Sequence, residues 1–141
     1  MKQVGIWLDK KMAYIISLVD GGTQRVEIVL SKIEDYKVHG GSGTRLKGGP
    51  QDVVQDSKYL EREKHQFKRY FQEITTHLGE AEQIVLFGPA EAGQKLRSEL
   101  ALSYPEIAKN VKGLVRTDSM TKNQMKAFVR DYFYQSPGAK R

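Results

Sequence analysis

Val4-Gly5-Ile6-Trp7-Leu8-Asp9-Lys10-Lys11-Met12-Ala13-Tyr14-Ile15-Ile16-Ser17-Leu18-Val19 reads as two strands joined by a tight turn. Val4, Ile6 and Leu8 alternate with Gly5 and Trp7, which predicts a strand at about 3–9. Asp9-Lys10-Lys11 supplies the polar turn, and the run from Met12 to Val19, rich in β-forming side chains, supplies the second strand. Asp20-Gly21-Gly22 is a strong hairpin signal. Residues 25–33 alternate again and predict a third strand. Three sequential strands with short turns make an antiparallel meander.

Downstream the pattern changes. Gln83-Ile84-Val85-Leu86-Phe87 is a short continuous apolar run, as a central strand buried on both faces requires. Gly88-Pro89 ends it and predicts a helix with Pro89 near its first position, running to about 102 and burying Leu96 and Leu100. Tyr104-Pro105 breaks that helix. A fifth strand follows at 111–115. Thr121-Lys122-Asn123-Gln124 has the form of a capping box, and Met125, Phe128, Val129 and Tyr132 give the apolar face of a last helix. The tail from Ser136 to Arg141 is expected to fray. The element order β-β-β-loop-α-β-α-β-α predicts an α/β fold. Its core is a five-stranded mixed sheet, three antiparallel strands followed by alternating α and β, with helices on both faces. This is the element order of the ribonuclease H-like group of folds. No repeat or interdomain linker interrupts 1–141, so one domain is expected.

Composition narrows the chemistry. The chain has 141 residues, 39% hydrophobic and 28% charged, with a net charge of +6. That excess, and a pI near 9.5, leans toward a polyanionic partner. There is no cysteine, which removes disulfides, thiolate metal sites and thiol catalysis. No apolar run approaches the length of a membrane span, and the N-terminus has no signal-peptide pattern. A cytoplasmic protein without a membrane partner is expected.

Between the meander and a helix expected at about 57–78 lies Lys37-Val38-His39-Gly40-Gly41-Ser42-Gly43-Thr44-Arg45-Leu46-Lys47-Gly48-Gly49-Pro50-Gln51. Glycine lets backbone come close to a ligand and weakens regular structure. A mobile loop at about 36–56 is therefore expected. In the helix, Leu60, Phe67, Phe71, Ile74 and Leu78 project within a narrow arc, which predicts a core-facing stripe. Lys58, Arg62, His65 and Arg69 project on nearly the opposite side. A basic helix face with Tyr59 and Tyr70 nearby, following a glycine loop that carries Lys37, His39, Arg45 and Lys47, suits an RNA backbone. DNA is not expected as a partner, and the bland alternative is a solvated helix face.

Catalytic patterns are sparse. A two-metal nuclease needs converging carboxylates. Asp9 ends the first strand, but the fourth ends in Phe87-Gly88-Pro89, leaving only Glu91 nearby and Asp118 after strand five. Asp9 reads better as a turn residue. Ser42 is not in a strand-turn-helix nucleophile elbow. His39, His65 and His77 lack metal-ligand spacing, and the loop lacks the nucleotide-binding Gly-x-x-x-x-Gly-Lys-Ser/Thr pattern. No metal or cofactor is expected.

Val4-Gly5-Ile6-Trp7-Leu8-Asp9, Met12-Ala13-Tyr14-Ile15, residues 37–45 and Leu86-Phe87-Gly88-Pro89-Ala90 together resemble the central domain of archaeal and eukaryotic class-1 peptide-chain release factors. Stand-alone bacterial proteins similar to that domain match still better. The resemblance spans about 3–135, carried by the order and spacing of short motifs. It implies a ribosome partner, with contacts to rRNA or tRNA, in translation rescue, quality control or hibernation. The family's Gly-Gly-Gln loop enters the peptidyl-transferase centre and promotes water attack on the peptidyl-tRNA ester, the glutamine orienting water or stabilising charge. Here Gly40 and Gly41 match the glycines and Arg45 the closing arginine, but Ser42 stands where glutamine belongs. Gly48-Gly49-Pro50-Gln51 offers a second Gly-Gly with its glutamine one residue late. Catalysis by Gly40, Gly41, Ser42 and Gln51 is therefore left open. A peptidyl-tRNA hydrolysing enzyme and a non-catalytic protein-interaction module stand as alternatives to a ribosome-binding protein. No codon-reading domain fits in this length, so stop-codon specificity is not expected.

Overall fold

The structure, a computed structural model, describes residues 2–19, 23–33, 50–89 and 91–135, except the side chains of 23, 50–59 and 135. The Asp20-Gly21-Gly22 turn, the glycine-rich stretch through Gly49 and the tail at 136–141 lie outside the described residues.

The meander forms as the alternation predicts: β1 (Lys2–Leu8), β2 (Met12–Val19) and β3 (Thr23–Leu30), successive pairs antiparallel. Asp9 makes the first turn. Its Oδ1 accepts from the backbone N–H groups of Lys11 and Met12 at 2.8 and 2.9 Å, the side chain standing in for a backbone acceptor. The third strand stops at Leu30, short of the expected 33. Lys32 takes a left-handed φ of 56°, which ends the pleat. Ile33 then turns inward against the core, its N–H donating to Ser31 Oγ at 3.2 Å.

After a long helix, α1 (Pro50–Thr75), the chain alternates through β4 (Gln83–Gly88), α2 (Ala92–Ser103), the short α3 (Pro105–Ala108), β5 (Val111–Arg116) and α4 (Lys122–Gln135). The sheet order is β3-β2-β1-β4-β5, with β1–β4 and β4–β5 parallel. The predicted five-stranded mixed α/β sheet is the observed one. Two helix starts differ from expectation. The long helix begins at Pro50, seven residues before the expected 57, because proline is preorganised for the first helical position; residues 50–56, read as loop, are helix. The fourth strand's helix begins at Ala92, not Pro89. Gly88 holds a φ of 138°, and a Cβ there would strike the Leu8 carbonyl, so the chain must turn before it can coil.

Helices cover both faces of the sheet. On one, Val4, Ile6, Leu8, Ile15, Ile84 and Leu86 meet Tyr70, Phe71 and Ile74 of α1 and Leu96 and Leu100 of α2. On the other, Trp7, Ile16, Val85 and Phe87 meet Met125, Val129 and Phe133 of α4. β1 and β4 are thus buried on both faces, which explains their unbroken apolar runs. The expected capping box starts α4: Thr121 N–H donates to Gln124 Oε1 at 2.9 Å and Gln124 N–H to Thr121 Oγ1 at 3.1 Å. Gly5 lets α4 lie close on the sheet, since a Cβ there would run into Val129. Phe128 stacks on Phe87 with centroids 4.2 Å apart.

The predicted stripe on α1 is right at Phe67, Phe71 and Ile74 and wrong at its N-terminal end. Leu60 is 59% exposed, whereas Tyr70, assigned to the outer surface, is 1% exposed. Leu78 lies past the helix end and is still buried. Phe71→Ala is expected to cost about 3–5 kcal/mol and Leu60→Ala under about 1 kcal/mol. Urea denaturation of the two variants measures the difference; equal losses would mean Leu60 is covered.

Candidate nucleic-acid interface

The site is built on α1, and two contacts fix that helix to the β1–β2 turn. Tyr70 Oη donates to the Asp9 carbonyl at 3.0 Å. Lys10 Nζ lies 2.8 Å from Glu63 Oε2. One turn thus holds α1 at two levels about two helical turns apart. Burial, and then the Asp9 carboxylate, pushes the Tyr70 hydroxyl far above the ordinary tyrosine value. Tyr70 is therefore a neutral structural anchor, and its expected place beside RNA is corrected.

Arg62, His65 and Arg69 are all exposed. Their spacing of three and four puts them on one helix face, away from Phe67, Phe71 and Ile74. The predicted basic face exists at these three positions. Lys58 occupies the same helix one turn earlier, its side chain outside the described residues. Residues 58–69 hold five Lys or Arg and two Glu. Glu63 is engaged by Lys10, so the outward field of this segment is positive.

The other flank of α1 is different. A groove of about 800 Å³ separates it from α2. Its lining mixes Lys64, Lys68 and Lys95 with Glu61, Glu91 and Glu99, and Lys95 Nζ sits 5.3 Å from the centre of the Phe67 ring. Charges of both signs make a poor phosphate track, which needs one sign. The sequence reading did not single out Lys10, Lys64, Lys68 or Lys95. Lys10 carried a signal, sitting in the turn after β1, but nothing in the chain pattern said that it reaches Glu63.

Lys37, His39, Arg45 and Lys47, with Gly40, Gly41 and Ser42, lie outside the described residues. Gln51 was read as a loop residue; its backbone belongs to the first turn of α1, because the helix nucleates at Pro50. His77, near the end of α1, has Nδ1 3.1 Å from Glu27 Oε1 of β3. Asp9 spends its carboxylate on the turn, and among the described residues no three His, Cys, Asp or Glu side chains gather as a metal site would require.

No protein-family profile matches the chain, and no curated protein matches it significantly in sequence. Solved structures do resemble it. Pelota from Archaeoglobus fulgidus aligns with a TM-score of 0.55 and 15% identity over 93% of this chain and 31% of that one. The archaeal translation termination factor aRF1 aligns at 0.58 and 13%, over 95% and 34%. Pelota from Thermoplasma acidophilum aligns at 0.56 and 20%, over 99% and 34%. The chain thus spans about a third of the length of each, and at these identities the likeness is one of fold.

The Tyr70 anchor has a pH signature. Its folded value is raised, so folded chains keep the proton above about pH 10 while unfolded chains release it. Stability present below that pH is expected to fall above it, by up to about 1.4 kcal/mol per pH unit. Urea midpoints measured from roughly pH 9 to 11 should decline less steeply in Tyr70→Phe than in the wild type; parallel declines would contradict the burial argument.

Proposed function

We propose that this chain is a release-factor-like, ribosome-binding domain acting in translation rescue, quality control or hibernation, and that it does not hydrolyse peptidyl-tRNA. The carrying observation is the outward face of Arg62, His65 and Arg69 on a helix whose N-terminal end continues directly from the glycine-rich basic segment. The fold likeness to a translation termination factor and to Pelota supports the same reading. In mechanism the helix face would neutralise phosphates along an RNA backbone. Lys37, His39, Arg45 and Lys47 would extend that contact along the segment preceding the helix. Gly40 and Gly41 would allow its backbone close to the RNA.

Hydrolysis is assigned against on chemistry. Ser42 is shorter than glutamine and has no carboxamide to orient water. Gln51 belongs to a helical turn at Pro50, and helical backbone cannot present it as a loop glutamine would be presented.

Binding is expected to weaken steeply with salt, with a log–log slope of roughly −0.7 to −0.9 per phosphate contact. The double variant Arg62→Ala/Arg69→Ala should shallow that slope by roughly 2 while keeping the wild-type urea midpoint. Co-sedimentation with ribosomes over a salt series measures it. Unchanged affinity at low salt would remove the helix face from the interface, and absence of binding by the wild type would leave the interaction-module reading.

A peptide-release assay on programmed ribosomes separates binder from enzyme. Wild type and Gln51→Ala are both expected to be inactive, and Ser42→Gln to gain release. Robust wild-type release would overturn the non-catalytic assignment; its loss in Gln51→Ala would hand the role to that glutamine.

A further inference from the structure

β3 is the last strand on its side of the sheet, and no described segment pairs with its outer side. Exposed edges are ordinarily protected by shortness, proline, a bulge or inward-pointing charge. β3 has eight residues, no proline, and a ladder to β2 without a register shift, and Glu27, a charge it turns toward the α1 face, is engaged by His77.

The direction of its backbone groups follows from one bond. Ser31 N–H donates to the Lys11 carbonyl at 2.9 Å, extending the register that sets Leu30 opposite Met12. Antiparallel pairs alternate between bonded and non-bonded. Odd residues of β3 therefore bond to β2, and the N–H and C=O groups of Gln24, Val26, Ile28 and Leu30 face outward. The side chains of these four share the α4 face of the sheet. There Val26 is partly buried against the α4 cluster, while Ile28 is 51% and Leu30 54% exposed.

We propose that β3 pairs antiparallel with β3 of a second copy of this chain, about a two-fold axis through Ile28. Val26, Ile28 and Leu30 are spaced symmetrically about that residue, so the strand complements its own reverse, as an isologous contact requires. Ile28 then meets its own copy, and Val26 meets the partner's Leu30. Arg25 faces Ser31 and Glu27 faces Val29, so no like charges oppose. Neighbouring registers fail. Centring on Glu27 sets two carboxylates opposite each other. Centring on Val26 sets Ile28 against Gln24. Centring on Val29 sets Val26 itself against Lys32, which has left the pleat, whereas about Ile28 the three apolar residues pair among themselves within the strand. The product is one continuous sheet across two protomers, closed by symmetry.

The chain lacks cysteine, so single introduced thiols report the register. Directly paired Cα atoms lie about 5.5 Å apart, within the span of a disulfide. Under mild oxidation Ile28→Cys is expected to form a covalent dimer, and Val26→Cys, which faces position 30, is not. In sedimentation equilibrium the wild type should reach twice the monomer mass, and Ile28→Lys should raise the dissociation constant at least about tenfold. Because Ile28 is half exposed, that variant should keep the wild-type far-ultraviolet circular dichroism; if it unfolds, the two cysteine variants decide alone. A wild type monomeric up to roughly 1 mM, cross-linking through 26 in place of 28, or an unchanged dissociation constant in a folded Ile28→Lys would each overturn the proposal.

Discussion

The placement of the long helix α1 depends on the turn after β1. Asp9 closes it with its own carboxylate and offers its carbonyl to Tyr70. Lys10, next in the chain, holds Glu63. A buried hydroxyl without a partner would cost about 1–3 kcal/mol, a cost that the Asp9 carbonyl removes for Tyr70. The same contact settles which side of α1 faces the sheet. Once Tyr70, Phe71 and Ile74 are inward, Arg62, His65 and Arg69 lie on the exposed side of the helix. The turn thus orients the basic face without touching it.

The opposite face of the sheet obeys a tighter constraint. α4 approaches so closely that position 5 tolerates no side chain, and Phe128 lies flat on Phe87. Trp7 is buried in this layer with its indole N–H unpartnered among the described residues. Its edge-on contact with Tyr14, at 6.0 Å between centroids, offsets part of that cost. β1 and β4 are therefore clamped from both sides. The outer strand β3 is not, which is why its apolar residues remain in view.

Much of this was legible in the residues. Period-two alternation, one aspartate at a turn and an unbroken apolar run mark out five strands and the antiparallel first half, because burial on one or two faces writes itself into the pattern. The Thr121–Gln124 box was legible because capping is local. What escaped was decided by distant partners. Tyr70 and Leu60 exchange places because an acceptor 61 residues away in sequence rewards one hydroxyl, and projection at a fixed angle cannot weigh that. Pro50 was absorbed into its glycine-rich surroundings, though it starts the helix. Pro89 carried the opposite signal, overruled by the backbone of Gly88 beside it. The candidate interface was half legible. Sequence shows which cations share a helix face, but not that Lys10 neutralises Glu63 or that the far flank is a mixed-charge groove.

The length of α1 makes it a lever. Among the described residues its core contacts begin at Phe67, and from there to Pro50 the helix runs about 25 Å. A rigid arm of that length converts a small rotation at its fulcrum into a large displacement at its tip. With the Tyr70–Asp9 and Lys10–Glu63 contacts as the fulcrum, a tilt of one tenth of a radian would carry Pro50 about 2.5 Å. Where the helix takes over from the glycine-rich segment is thus set by how firmly its second half is held, by two polar contacts and by the packing of Phe67, Phe71 and Ile74. A change at residues 9, 10, 63 or 70 would therefore be felt most at the N-terminal tip of the helix, far from where it was made.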